Sequence, residues 1–209
     1  MKNRKGNILM TTGLLLLAAA LCLTFYNMWD EWRAGREADQ VLAQLFSGSE
    51  FDADGGRQED GSVPDYMLNP EMEMPTVTID GVKYIGMLTI PALERSLPVI
   101  SEWDDLKLKT APCRYAGSVY LDNLIIAGHN YRSHFGKLRS LSIDDEIIFT
   151  DVDGNHFYYQ VTDMELLADT AVEDMEAEAE NWDLTLFTCT VSGGERVTVR
   201  CRKWEREAG

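Results

Sequence analysis

The stretch LTLFTCTVSGGERVTVRC, residues 184–201, holds two alternating runs around a Ser-Gly-Gly link. In the second run Val197, Val199 and Cys201 share one face of a strand, and Arg196, Thr198 and Arg200 share the other. In the first, Leu184 and Leu186 alternate with Thr185, Phe187 and Cys189. Aliphatic faces turn to the core, so Cys189 lies away from the core side and Arg196 and Arg200 point outward. If the link closes a hairpin, Arg196 returns beside Cys189. A cysteine with an arginine next to it is either a packing residue at a turn or a nucleophile with a fixed cation beside it.

Upstream the texture is the same. TVTIDGVKYIGMLTI reads as two strands around Asp80-Gly81, a strong hairpin signal. LPVI begins a short strand, VYLDNLIIAG is another with a turn or bulge at Asp122-Asn123, and EIIFTDVDGNHFYYQVTDME is strand, Asp-Gly turn, strand. Helix candidates are few: residues 103–109, 133–141 and 172–181. Many strands, short turns and no alternation of strand with helix predict an antiparallel closed barrel or sandwich from about residue 76 onward.

The N-terminal third differs. Residues 8–29, ILMTTGLLLLAAALCLTFYNMW, carry no charge and as a helix span roughly 33 Å, enough to cross a bilayer. Lys2, Arg4 and Lys5 precede them, which by the positive-inside rule keeps the N-terminus cytoplasmic. The rival is a cleaved signal peptide ending near Ala18–Ala20, but the apolar run continues past those alanines. Residues 46–75 are rich in Gly, Pro and acids and read as a spacer. The expected organisation is a cytoplasmic tail (1–7), a transmembrane anchor (8–29), an acidic stalk (30–75) and an exported domain (76–209).

The net charge of −16 argues against nucleic acid and against close binding to anionic lipid surfaces. Of four cysteines, Cys22 lies in the apolar segment. Cys113, Cys189 and Cys201 form at most one disulfide, so at least one exported thiol stays unpaired. Whether Cys113 and Cys201 pair stays open at this stage. No two cysteines have zinc-pair spacing.

A cysteine nucleophile needs an imidazole to take its proton or pair with its thiolate, and acyl transfer needs a donor for the oxyanion. Of the three histidines, His129 stands directly after an apolar strand ending in Ala-Gly; Gly128 is read as letting the backbone turn there. His134 and His156 read as surface or supporting residues. Cys189, His129 and Arg196, each at a strand end, form a sufficient kit.

These residues carry a resemblance. TLFTC, an arginine opening a strand within ten residues, and IAGHN upstream are similar to the sortase family. YIGMLTIPALERSLPVI resembles the family's opening strands, GHNYRSHFGKL its histidine loop, and DEIIFTDVDGNHFYYQV the strand pair between. The resemblance runs from about Val77 to Arg202. It implies an all-β closed barrel of about eight strands with few short helices, and a cysteine transpeptidase of Gram-positive-type cell surfaces. It makes Cys189 the nucleophile, His129 the general acid/base and Arg196 the group that stabilises the acyl centre. Thr188 and Arg200 would contact substrate, Arg200 keeping the spacing of a second family arginine. The substrate would be a secreted protein with a Leu-Pro-x-Thr-Gly type sorting signal, and the acceptor an amine such as that of a cell-wall precursor. No cofactor is expected. Some sortases bind calcium in a loop corresponding to the acidic run near 172–182, but no ligand spacing demands it here.

Other classes fit less well. A papain-like peptidase places Cys before His, and the caspase cysteine signature is absent. A pilin-polymerising sortase, or a non-catalytic anchored adaptor on the same barrel, are the remaining alternatives.

Overall fold

The computed structural model describes residues 2–45, 63–168, 181–190 and 193–204. A long helix, α1 (Lys2–Leu45), and a single turn, α2 (Asp65–Leu68), precede nine strands. These are β1 (Val77–Ile79), β2 (Val82–Ile90), β3 (Arg95–Ile100), β4 (Cys113–Ala116), β5 (Leu124–Ala127), β6 (Glu146–Asp151), β7 (His156–Ala168), β8 (Leu184–Cys189) and β9 (Glu195–Lys203). Asp80 and Gly81, with φ of 50° and 79°, make the tight turn between β1 and β2 that an Asp-Gly pair favours.

The strand order β2-β3-β4-β5-β8-β9-β7-β6 closes where β6 pairs with β2, giving an eight-stranded barrel with β1 added beside β2. Closure removes free sheet edges, and alternation fills the interior. Leu88, Ile126, Phe149, Tyr159, Leu186, Val199 and Cys201 all belong to one buried core. Each such aliphatic side chain contributes about 1.5–3 kcal/mol by leaving water.

Two features depart from the antiparallel expectation. β3 pairs with β4 in parallel at Ile100 and Cys113, and β5 pairs with β8 in parallel from Leu124/Leu184 to Ala127/Phe187. The β5-to-β8 crossover carries the β6–β7 hairpin among its described residues. β4, only four residues long, is missed because CRYA has no periodic run. Residues 103–109 and 133–141 form turns with short 3-10 pieces, Lys107–Lys109 and Leu138–Ser140, and not α-helices. The third helix candidate lies almost wholly outside the described residues.

α1 is continuous through residue 30 and onward. Its segment from Ile8 is apolar and exposed. Beyond it, Ala34, Ala38 and Val41 are buried, a 4-then-3 spacing that presents one helical stripe to the barrel. Val41 joins a second core with Ile79, Tyr84, Ile100, Ala111 and Cys113. Further along, Met74 is buried in the main core and Tyr66 stacks on Tyr120 with centroids 4.8 Å apart. Residues 30–45 and 63–75, read from sequence as stalk, therefore pack on the barrel; 46–62 lie outside the described residues.

Candidate active site

A parallel strand pair ends both strands at the same rim. Ala127 of β5 lies beside Phe187 of β8, and the Gly128 N–H donates to the Phe187 carbonyl at 3.0 Å. Two residues beyond each member of that pair come His129 and Cys189, so the topology sets imidazole and thiol at neighbouring strand ends. On the other side β8 pairs with β9 in antiparallel register, and the partner of Cys189 is Arg196. The turn between them is held by Thr190 N–H donating to the Glu195 carbonyl at 2.8 Å. Cys189 and Arg196 thus face each other in register, and His129 follows the end of the strand parallel to β8 at the same rim.

Cys189 is free and exposed. Cys113 and Cys201 are both buried and unbonded, in separate hydrophobic clusters. Burial pushes the Cys113 thiol up to about 11, and drives that of Cys201 higher still. Both sit away from solvent, where a thiol stays protonated and unreactive.

His129 is half-buried and its proton affinity is lowered, chiefly by desolvation, then by Lys109, against a raising pull from Asp30. Its Nδ1 has no hydrogen-bond partner among the described residues. Its ring stacks instead on Tyr131, centroids 3.9 Å apart and planes 27° from parallel. The loop after it is tight: Phe135 N–H donates to the His129 carbonyl at 3.2 Å, and His134 and Gly136 N–H both donate to the Tyr131 carbonyl.

Gly128 is required for a reason other than turning. A Cβ there would stand 2.3 Å from Cδ2 of Phe135, a ring with no exposed surface. The glycine lets this ring close over the strand end and lock the histidine loop.

Arg196 lies between Cys189 on β8 and Leu167 on β7, with its guanidinium carbon 5.7 Å from the Phe187 ring centroid. Phe187 belongs to an aromatic group with Tyr115 (5.3 Å) and Trp103 (6.5 Å). With Ile125, Ala127, Leu108 and Leu167 it paves an apolar strip on the outer face of β5 and β8. A recess of about 340 Å³ lined by Trp103, Tyr115, Arg114, Glu73 and Glu102 adjoins it.

The remaining expected residues fall elsewhere. Thr188 is buried on the inner face of β8, its hydroxyl unpartnered among the described residues. Arg200 pairs with Thr185, four residues along the strand from the Cys189–Arg196 pair, or roughly 13 Å. Its Nε donates to Glu165 at 2.8 Å and a terminal nitrogen donates to the Thr185 hydroxyl at 3.1 Å. The structure brings Arg196, not Arg200, to the cysteine. His134 is buried beside Ala34 and Thr110, neither ring nitrogen making a hydrogen bond of good geometry; desolvation lowers it to about 4. His156 contacts the Thr150 hydroxyl at 3.0 Å, on the β6–β7 pair. No cluster of three or more metal-ligating side chains occurs among the described residues, and the acidic run weighed for calcium lies mostly outside them.

Comparison with known proteins agrees with the fold. The family model described as Sortase domain matches residues 88–204. A sortase D5 transpeptidase of Clostridium perfringens superposes with a TM-score of 0.54 at 14% identity, over 81% of this chain and 97% of that one. Sortase C1 of Streptococcus agalactiae gives 0.53 at 19%, over 81% and 90%. Sortase A of Corynebacterium diphtheriae gives 0.52 at 18%, over 90% and 97%. These identities establish likeness of fold. No curated protein matches the sequence.

Proposed function

Because the chain belongs to the sortase family, we propose that it is a membrane-anchored cysteine transpeptidase with Cys189 as nucleophile, His129 as acid/base and Arg196 as oxyanion stabiliser. The observation that supports this most is the convergence of an exposed cysteine, its register partner arginine and a histidine at the end of the parallel neighbouring strand.

The Cys189 thiolate attacks a backbone carbonyl of the sorting signal, and a C–S bond forms. Charge gathers on the carbonyl oxygen, where the Arg196 guanidinium stabilises it in a partly dry site. The C–N bond breaks as the His129 imidazolium protonates the leaving amine. An acceptor amine then attacks the thioester, His129 takes its proton and the thiolate departs. The apolar strip around Phe187, Ile125 and Ala127 suits an extended peptide with an aliphatic residue and a proline. Thr188 backs the nucleophile from within, and Arg200, committed to Glu165 and Thr185, braces β8 against β9.

Substrates are secreted proteins with a Leu-Pro-x-Thr-Gly type signal, and the acceptor is an amine of the cell-wall precursor type. Residues 1–7 stay cytoplasmic, 8–29 cross the membrane, 30–75 join the two parts, and the catalytic domain from residue 76 lies outside. The test is a peptide library screened with the full chain in detergent micelles. Cleavage of one signal class that is lost in Cys189→Ala supports the reading; cleavage that survives that substitution removes it.

A further inference from the structure

The helix that carries the apolar segment also reaches the histidine loop. Asp30, one residue beyond Trp29, accepts a hydrogen bond from the Tyr131 hydroxyl. Glu31 accepts from the Arg132 N–H through its carboxylate and from the Ser133 hydroxyl, at 3.2 Å, through its carbonyl. Small residues make this approach feasible. Ala34 and Ala38 are buried, and a Cβ on Gly35 would stand 3.2 Å from Cβ of Ser133. On its other side Tyr131 lies flat on His129. In a Ser-His-Asp triad a carboxylate bonded to the second ring nitrogen fixes the imidazole; here Nδ1 has no such partner among the described residues.

We propose that Tyr131 is the positioning residue for His129, and that Asp30, the first charged residue after the apolar segment of α1, holds Tyr131 in place. The order His129–Tyr131–Asp30 substitutes a stacked ring and a helix-borne carboxylate for the missing hydrogen bond. This rests on the reading of His129 as acid/base. It makes the helix part of the frame that holds His129, through a contact one residue beyond the apolar segment.

The charged and titratable groups that act on His129 are the stacked Tyr131; Asp30, itself bonded to Arg33, on α1; Lys109 on its 3-10 turn; and His134 on its own loop, while Cys189 and Arg196 pair with each other at the neighbouring strand ends. Asp30 raises the affinity of His129 for its proton. Neutralising it should lower that affinity; freeing the ring from Tyr131 should rehydrate it and raise it.

The test uses the full-length chain in detergent micelles and needs no peptide. The His129 imidazole is titrated by NMR, its signal assigned by loss in His129→Ala. The Cys189 alkylation rate with iodoacetamide is followed across pH by mass spectrometry. Asp30→Asn should shift the His129 midpoint down. Tyr131→Phe, which keeps both the stack and the Asp30 charge, should move the midpoint less than Asp30→Asn does, and the double variant should match Asp30→Asn alone. Tyr131→Leu should shift the midpoint up, and in each case the alkylation profile should move with it. His129 titration curves that overlay the wild type in Asp30→Asn and Tyr131→Leu overturn the proposal, even where thermal stability changes. Failure of the underlying reading looks different: His129→Ala would then leave the alkylation profile unchanged.

Discussion

Replacing Gly128 by alanine tests how the fold delivers His129 to Cys189. The new Cβ would stand 2.3 Å from Cδ2, 2.4 Å from Cγ and 2.9 Å from Cε2 of Phe135. Ordinary carbon contact is about 3.5 Å or more, so the overlap exceeds 1 Å. Phe135 has no exposed surface into which to swing, and its N–H is tied to the His129 carbonyl. Relief must come from moving the histidine loop or the strand end. Overpacking of this kind costs about 1–3 kcal/mol, and a close clash with a ring belongs near the top, at about 3. A displacement of about 1 Å at His129 would also cost on the order of 100-fold in rate. The assay is urea unfolding of the full chain in micelles, followed by tryptophan fluorescence. Phe135→Leu alone should cost about 1–2 kcal/mol. Combined with Gly128→Ala it should lose less than the two costs together, with a coupling of about 1 kcal/mol or more. A Gly128→Ala protein within about 0.5 kcal/mol of wild type, or strict additivity with Phe135→Leu, would refute the close-approach account.

Three further outcomes are expected. His134, held neutral by burial, binds fewer protons than the unfolded chain, so stability falls as pH drops from 6.5 toward about 4, by up to about 3 kcal/mol, and this slope should flatten in His134→Gln in pH-dependent unfolding. Glu165→Ala removes the carboxylate paired with the buried Arg200 guanidinium and should cost about 1–3 kcal/mol, partly restored by Arg200→Met, whereas Asp122→Asn at the exposed Lys203 pair should cost under about 0.5 by the same unfolding assay. Iodoacetamide at pH 8 should label Cys189 in the native barrel and spare Cys113 and Cys201, which react only after unfolding, and intact mass should show no disulfide.

Alternation along β8 and β9 was enough to place Cys189 beside Arg196, because an antiparallel hairpin is a local object whose register follows from its turn. The Asp80-Gly81 turn and the β6–β7 pair were legible for the same reason. His129 is a different matter. Its approach to Cys189 depends on the parallel β5–β8 pair, a long-range choice that no local pattern encodes; motif resemblance, not periodicity, linked the two. Gly128 reads in sequence as a turn residue, while its constraint is the Phe135 ring seven residues on, visible only in three dimensions. Arg200 shares the outward face with Arg196 but lies four pairs away on an ion pair with a strand absent from the quoted stretch. The docking of α1 was hidden because Ala34, Gly35 and Ala38 are too small to register as a hydrophobic stripe. The aromatic two residues after His129 was the one clue to Tyr131.

In the proposed mechanism Cys189 carries an acyl group which His129 and Arg196 help to form. The most direct measurement is mass spectrometry of the full chain quenched during turnover of a sorting-signal peptide without added amine. The account expects a thioester-linked mass on the peptide containing Cys189, lost in Cys189→Ala and reduced on the order of 100-fold or more in Arg196→Ala and His129→Ala. Peptide cleavage that persists in Cys189→Ala, or an adduct on another residue, would contradict it.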